Sequence, residues 1–194
     1  MTAKPKGKIP ATFELVDRKD YGYNTKQVDA FMANARNFFE APELATKPVN
    51  SGDVRAVAFD PIKGGYNAVQ VDDALDVLED ALARKERDEL VAAEGEEAWL
   101  QRIGKMSATL RGRLHRPASE RFRSPSKNNV RGYRKADVDA LCEDLIGYLE
   151  KDKPLSVDNV RRAVFRSAQG TESYEEAQVD AFLDRAVELM AAID

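Results

Sequence analysis

The side chains that most often catalyse reactions are few in this chain, and they do not cluster. There is one histidine, His115, and one cysteine, Cys142, among 194 residues. His115 stands in a basic stretch with no Cys, Asp or Glu at metal-ligand spacing. Cys142 lies in an apolar helical row, which is typical of a small buried side chain in a reducing compartment. Phosphate-binding glycine loops, nucleophile elbows and Cys-x-x-Cys pairs are absent from the sequence. We therefore expect no catalytic residue, no metal ligand, no cofactor-binding residue and no enzyme activity.

Arginine and lysine offer a second kind of chemistry, the binding of anions. Asp72 to Glu97 holds eleven acids and three bases, whereas Gln101 to Lys135 holds eleven bases and the single acid Glu120. Clustered arginines pair with phosphates, so the basic stretch is a candidate contact for an anionic surface. The alternative is that these arginines pair with the acidic stretch inside the fold. The candidate side chains are Arg111, Arg113, Arg116, Arg121 and Arg123.

A repeated motif is the strongest signal in the sequence. Four segments share a Tyr, four intervening residues and then Val-Asp, with Gly before the Tyr in three of them. A longer match, Lys47-Pro48 to Phe59 against Lys153-Pro154 to Phe165, recurs at an offset of 106 residues, against 110 between motif copies one and three. The chain is therefore interpreted as a duplicated pair, two similar halves with two motifs each. The motif residues are Gly22, Tyr23, Val28 and Asp29; Gly65, Tyr66, Val71 and Asp72; Gly132, Tyr133, Val138 and Asp139; and Tyr174, Val179 and Asp180.

Helix-start chemistry accounts for this motif and makes its role structural. Asn24 and Asn67 suit N-cap positions, and a Gln three residues later completes a capping box. The Tyr then precedes the cap and the Val is the fourth helical residue, which is the arrangement of a hydrophobic staple. Each Tyr is therefore predicted to be buried against the Val of its own motif. An apolar stripe at helical spacing follows each copy.

These elements predict an all-α fold of two tandem, similar helical halves. We expect a disordered N-terminus over 1–12, one half over 13–95, a connecting helix and basic linker over 96–121, and the second half over 122–194. A helical stretch from Ala68 to Leu114 contains Gly95, which costs ~1 kcal/mol in a helix interior, so a break is predicted there. No apolar run approaches the ~20 residues that span a bilayer, so a cytoplasmic protein is expected, with any membrane contact peripheral.

The repeated motif resembles the DivIVA domain of Gram-positive bacteria. Copy four, Val179-Asp180-Ala181-Phe182-Leu183-Asp184, is especially similar. The resemblance implies a DivIVA-repeat protein: a non-enzymatic scaffold or adaptor at the inner face of the cell membrane that recruits proteins of cell division or envelope growth. It also implies self-association through a coiled coil, and a loop before Gly-Tyr that meets the bilayer. In copy three that loop is Val130-Arg131. The chain departs from a typical member because it carries four motifs rather than one.

Two other functions are open on the sequence. The basic segment 102–135 is a candidate for nucleic-acid binding, although a pI of 5.3 and few interleaved aromatics disfavour it. A regulatory interaction module with no role at the envelope is the other. A homo-oligomer is compatible with each of these functions.

Overall fold

The computed structural model describes residues 12–40, 45–127 and 129–193, which form two compact units. The first unit reaches Glu89 and the second begins at Leu90, so the boundary falls inside a long helix. The segment 1–12, predicted to be disordered, lies outside the described residues except for Thr12. Both units are mostly helical, as the sequence predicts, but each also contains short strands.

The first unit has its core among three helices. Residues of all three contribute to it, among them Val28, Val54 and Val71. Two strands pair antiparallel beside this core, with Gly22 opposite Ile62. In chain order the elements are β1 (Tyr21–Tyr23), α1 (Thr25–Glu40), α2 (Ser51–Ala56), β2 (Pro61–Lys63) and α3 (Ala68–Glu94).

The second unit has a similar succession of elements, with an additional helix at its start and a third strand before its last helix. Its elements are α4 (Glu96–Leu114), β3 (Arg131–Arg134), α5 (Lys135–Lys151), α6 (Val157–Arg161), β4 (Ser167–Gln169), β5 (Ser173–Tyr174) and α7 (Glu176–Ile193). β3 is the central strand of an antiparallel sheet of order β4-β3-β5. Leu110 and Leu114 of α4 are buried in the core of this unit. The helix of the predicted connector 96–121 is therefore a packed element of the second unit.

The short strands correct the strict all-α prediction. In the first unit, the N–H of Tyr23 donates to the carbonyl O of Tyr66 at 2.9 Å, and the N–H of Tyr66 donates to the carbonyl O of Tyr23 at 2.9 Å. In the second unit, Tyr133 stands opposite Tyr174 in an antiparallel pair. The two motif segments of each unit thus pair some of their backbone groups with each other. Strands of this length are too short to show a period-2 pattern, so the sequence did not reveal them.

The predicted helix break at Gly95 is confirmed. α3 ends at Glu94 and α4 begins at Glu96, with Gly95 between them at φ +88°. This backbone conformation is in the region that glycine adopts without steric cost. A glycine near the middle of an otherwise helical run therefore located the end of α3 from sequence alone.

Candidate functional site

In the first unit, each motif tyrosine bonds to the aspartate of the other motif. The hydroxyl of Tyr66 donates to Oδ1 of Asp29 at 3.1 Å, and Tyr23 hydrogen-bonds to Asp72. Burial is the main cause that raises the pKa of both tyrosines, and the neighbouring carboxylates raise it further. The two segments touch so closely that a Cβ at Gly22 would lie 2.3 Å from the carbonyl O of Tyr66. Glycine is required there by backbone contact.

The second unit repeats this crossed pairing. The hydroxyl of Tyr174 donates to Oδ1 of Asp139 at 3.0 Å, and Tyr133 hydrogen-bonds to Asp180. Burial, with Asp180 as the next cause, raises the pKa of Tyr133 to about 12. A Cβ at Gly132 would lie 2.1 Å from the carbonyl O of Tyr174. All four motif aspartates are therefore engaged by tyrosine hydroxyls, which is a structural use of these carboxylates.

The burial predicted for the motif tyrosines is confirmed only in part. Tyr174 is fully buried, whereas Tyr23, Tyr66 and Tyr133 are half-buried. Their contact with the Val of the same motif stays a prediction. The sequence did not indicate the crossed bonds to aspartate, although the recurrence of Tyr and Asp together in all four copies was the available signal.

The capping-box prediction is wrong in its second half. The side chain of Asn24 does accept a bond at the start of α1, from the N–H two residues ahead at 3.1 Å. Gln27, however, turns to a neighbouring segment, where its Oε1 accepts from the N–H of Asp60 at 2.8 Å and its Nε2 donates to Oδ2 of Asp60 at 2.7 Å. Gln70 holds Glu14 in the same way. Each Gln thus fastens a distant segment to the helix start.

Arg121 lies inside the second unit, which removes it from the predicted anionic contacts. Its side chain is 4% exposed. Nη1 donates to the carbonyl O of Asp139 at 3.1 Å and to its Oδ1 at 3.3 Å, and Nε donates to the carbonyl O of Leu114 at 3.1 Å. Nη2 pairs with Glu143, and this hydrogen bond lowers the pKa of the Glu143 carboxyl. Arg121 therefore neutralises the buried carboxylate of Asp139 and cannot reach an external surface.

The histidine and the cysteine have no catalytic setting among the residues described. Cys142 is buried, as predicted, and burial raises the pKa of its thiol to about 12. His115 is exposed, and its Nε2 lies 2.8 Å from Oε1 of Glu150. Within residues 12–40, 45–127 and 129–193, no group of three His, Cys, Asp or Glu side chains is placed to hold a metal ion. No helix of this part of the chain is long and apolar enough to cross a membrane.

Three of the predicted anionic contacts, Arg113, Arg116 and Arg123, form an arginine cluster near the end of α4. The guanidinium carbon of Arg113 lies 5.5 Å from the centroid of the Phe122 ring, and its Nη1 donates to the carbonyl O of Arg121 at 3.0 Å. Burial is the first cause that lowers the pKa of Arg113, and the charges of Arg116 and Arg123 follow. The three cations are therefore close enough to repel one another.

The rest of the arginine cluster is open to solvent. Arg116 and Arg123 are exposed, and Nη2 of Arg123 lies 3.3 Å from Oε2 of Glu175. An anion that joined the cluster would find bidentate donors already held in place by Phe122 and by a backbone carbonyl.

Arg111 is separated from the arginine cluster by the geometry of α4. Two residues along a helix are rotated by about 200°, so Arg111 and Arg113 point to different faces. Nη2 of Arg111 donates to the carbonyl O of Leu149 at 2.9 Å, at the end of α5. The sequence grouped Arg111 with the other candidate contacts, and the structure assigns it to a groove on another face.

The loop before β3 presents the two residues that the DivIVA resemblance singled out. Val130 is 45% exposed, and Arg131 is exposed at the first position of β3. The alternative that the arginines pair with the acidic stretch 72–97 does not hold for Arg102 and Arg123. Their carboxylate partners are Glu188 and Glu175.

No protein-family model, curated protein or solved structure matches this chain. The similarity to the DivIVA domain therefore rests on the motif residues.

Proposed function

We propose that this protein is a non-enzymatic, DivIVA-like adaptor that holds proteins of cell division or cell-envelope growth at the anionic inner face of the cell membrane. The observation that carries the proposal is the arginine cluster, in which Arg116 and Arg123 are exposed and Arg113 is held against the Phe122 ring. Several positive charges close together create a positive electrostatic potential, which attracts an anionic surface. Each Lys or Arg near an acidic bilayer contributes about 1 kcal/mol, so a few such residues give reversible binding.

The exposed loop before β3 supports a second contact with the same surface. Val130 provides a small apolar side chain and Arg131 a cation beside it. An apolar tip that enters the boundary between head groups and acyl chains adds to electrostatic attraction. Both contacts belong to the second unit, which makes this unit the membrane-binding part in our proposal.

In this proposal the motif residues stabilise the fold of each unit. Its tyrosines and aspartates bond to each other, and its glycines allow two backbones to touch. Carboxylates that accept from neighbouring tyrosines are poorly placed for acid–base catalysis, which supports an adaptor over an enzyme.

We also propose that the two units are tandem copies of one ancestral pair of motifs. α5 begins at Lys135, 110 residues after α1 at Thr25, and α6 begins at Val157, 106 residues after α2 at Ser51. Gly132 stands opposite Ala168 as Gly22 stands opposite Ile62. Superposition of the two units, with corresponding Cα atoms matched by this register, tests the idea. Unrelated chain paths outside α4 would refute it.

Co-sedimentation with vesicles tests the membrane contact. We expect the full chain to bind vesicles rich in phosphatidylserine at low salt, and to be released at high salt because exposed charges are screened. The double variant Arg116→Glu/Arg123→Glu should weaken binding at least ~10-fold, since two attractive charges become repulsive. The control Arg36→Glu/Arg84→Glu changes the same net charge at exposed positions of the first unit and should bind like the parent.

Equal binding to neutral and acidic vesicles would rule out the membrane contact. A salt-sensitive shift of DNA or RNA that Arg116→Glu/Arg123→Glu abolishes, without vesicle binding, would favour the nucleic-acid alternative instead. A fluorescent fusion distributed evenly through the cell would argue against an envelope role and for a regulatory interaction protein.

A further inference from the structure

A groove on the second unit lies on a different face of α4 from the arginine cluster. α4 lines it with Ile103, Ser107 and Arg111, which stand one turn apart on one side of the helix, and α7 lines it with Leu189 and Ile193. The turn after α5 closes one end. The groove has a volume of about 550 Å³, which is within the range of small-molecule sites.

The groove is apolar along its length and cationic at one end. Ile103, Leu189 and Ile193 provide aliphatic side chains, and Ile193 remains 48% exposed although it ends a helix that packs in the core. Arg111 bonds to the carbonyl O of Leu149, which fixes its guanidinium at the end of α5. Lys153 also lines the groove, and its side-chain carbons lie beside Gly147 of α5.

We propose that this groove binds one molecule of a single-chain aliphatic carboxylate, with the hydrocarbon along Ile103, Leu189 and Ile193 and the carboxylate at Arg111 and Lys153. The inference is independent of the proposed membrane contact.

Charge and length support this class of ligand. Arg111, Asp152 and Lys153 line the polar end of the groove. Two positive charges and one negative charge leave this end with one net positive charge, which matches the single negative charge of a carboxylate. Ile103 and Arg111 are eight residues apart on α4, about 12 Å along the helix axis, a length that suits an alkyl chain of medium length. A ligand with a cationic head group would be repelled by the positive charges of Arg111 and Lys153.

The single tryptophan provides the measurement. Trp99 lies one turn before Ile103 on α4. We expect decanoate, titrated into the full chain below its micellar concentration, to change the fluorescence of Trp99 saturably with a 1:1 stoichiometry. Decanol and decyltrimethylammonium should bind at least ~10-fold more weakly, since each lacks the charge-assisted hydrogen bonds to Arg111 and Lys153.

Variants locate the site. Arg111→Gln and Lys153→Gln should each weaken decanoate binding ~3- to 10-fold, and Ile193→Asp should weaken it by at least as much. The control Lys105→Gln also removes one cation of α4, but from an exposed position outside the groove lining, and should leave binding unchanged. Thermal unfolding of each variant verifies that the fold is intact, and backbone amide shifts of the labelled chain map the ligand.

Three results would each overturn the proposal: no saturation with decanoate, equal binding of the cationic amphiphile, or equal loss of binding in Lys105→Gln. Binding of an amphipathic helical peptide to the groove residues in the absence of decanoate binding would also overturn it, in favour of a protein partner.

Discussion

The two units place the same Tyr–Asp pair in different surroundings. In the first unit, Asp29 is exposed and Tyr66 is half-buried. In the second unit, Asp139 is 8% exposed and Tyr174 is fully buried. The hydrogen bonds are nearly equal in length, 3.1 Å and 3.0 Å. Identical motif residues therefore do not determine how strongly the pair contributes to stability, because burial differs.

The difference comes from the segment that precedes β3. In the second unit, the N–H of Ser119 donates to Oδ2 of Asp139 at 2.8 Å, and the N–H of Arg121 donates to the hydroxyl of Tyr174 at 3.2 Å. Phe122 then packs edge-on against Tyr174 at 5.1 Å. In the first unit, Phe13 makes the corresponding contact with Tyr66 at 5.4 Å. Both units therefore pack a phenylalanine ring against the tyrosine. The polar contacts to Asp139 and Tyr174 from Ser119 and Arg121 are found in the second unit.

The largest expected effect compares the fully buried ring of Tyr174 with the half-buried ring of Tyr66. Tyr174→Ala should lower the free energy of unfolding of the second unit by about 4 kcal/mol, because it removes a fully buried aromatic ring and its bond to Asp139. Tyr66→Ala in the first unit should cost about 2 kcal/mol, since that ring is already partly solvated. Urea titration measures both, with Trp99 reporting the second unit and backbone amide signals the first. Equal losses would contradict the comparison.

The next effect tests the buried ion pair between Arg121 and Asp139. Arg121→Met should cost about 3 kcal/mol, because Asp139 would keep its buried charge without its cation. The matched control is Arg123→Met, two residues later, whose exposed side chain should contribute less than about 0.5 kcal/mol. Urea titration followed at Trp99 applies to both variants. An Arg121→Met protein as stable as the parent would show that the buried ion pair is not needed in the second unit.

A smaller effect concerns the residue before the second tyrosine of each unit. Gly65→Ser should destabilise the first unit by about 2 kcal/mol, because a Cβ there would lie 2.4 Å from the carbonyl O of Tyr23. The second unit already has Ser173 at the corresponding place, with its Oγ donating to the carbonyl O of Gly170 at 3.0 Å. Ser173→Gly should cost only about 1 kcal/mol. Backbone amide exchange measures each unit, and a harmless Gly65→Ser would mean that the two segments separate readily.

The smallest effect depends on pH. Hydrogen bonding to Arg166 lowers the pKa of Asp137 to about 2, from 3.8. A lowered pKa in the folded state means that this pair stabilises the second unit above about pH 4 and stops doing so as the pH falls through 2. The first unit has the neutral Gln27 at the corresponding place, bonded to Asp60. Asp137→Asn should therefore flatten the fall of the urea midpoint of the second unit between pH 4 and pH 2. An unchanged acid dependence would contradict a role for this pair.

Local patterns were sufficient to predict the helices and their ends. Apolar residues at helical spacing located α1, α3, α5 and α7, and the glycine at position 95 located the break between α3 and α4. Ser156, of a residue type favoured at N-caps, caps α6 and accepts from the N–H of Asp158 at 3.2 Å. These features depend on residues a few positions apart, so that the sequence contains all the information needed.

Local patterns do not determine which of two neighbouring polar residues caps a helix. Asn50 and Ser51 are both of types favoured at N-caps, and Asn50 takes that role in α2, where its side chain accepts from the N–H of Asp53 at 2.8 Å. Ser51 bonds instead to Glu86, 35 residues away, through both its N–H and its hydroxyl. A side chain that can cap a helix can equally bond to a distant carboxylate, and only the packing of α2 decides between the two.

The sequence by itself determined the helical content, the repeated motif and the helix break, because these follow from spacing along the chain. Only the tertiary structure decided which aspartate each tyrosine meets, which of the neighbouring arginines is buried, and which carbonyl Arg111 bonds to. Such contacts join residues 18 to 38 positions apart, from Arg121 and Asp139 to Arg111 and Leu149. Local propensity carries no information about pairing at that separation, whereas burial makes each unpaired polar group costly and so selects one arrangement.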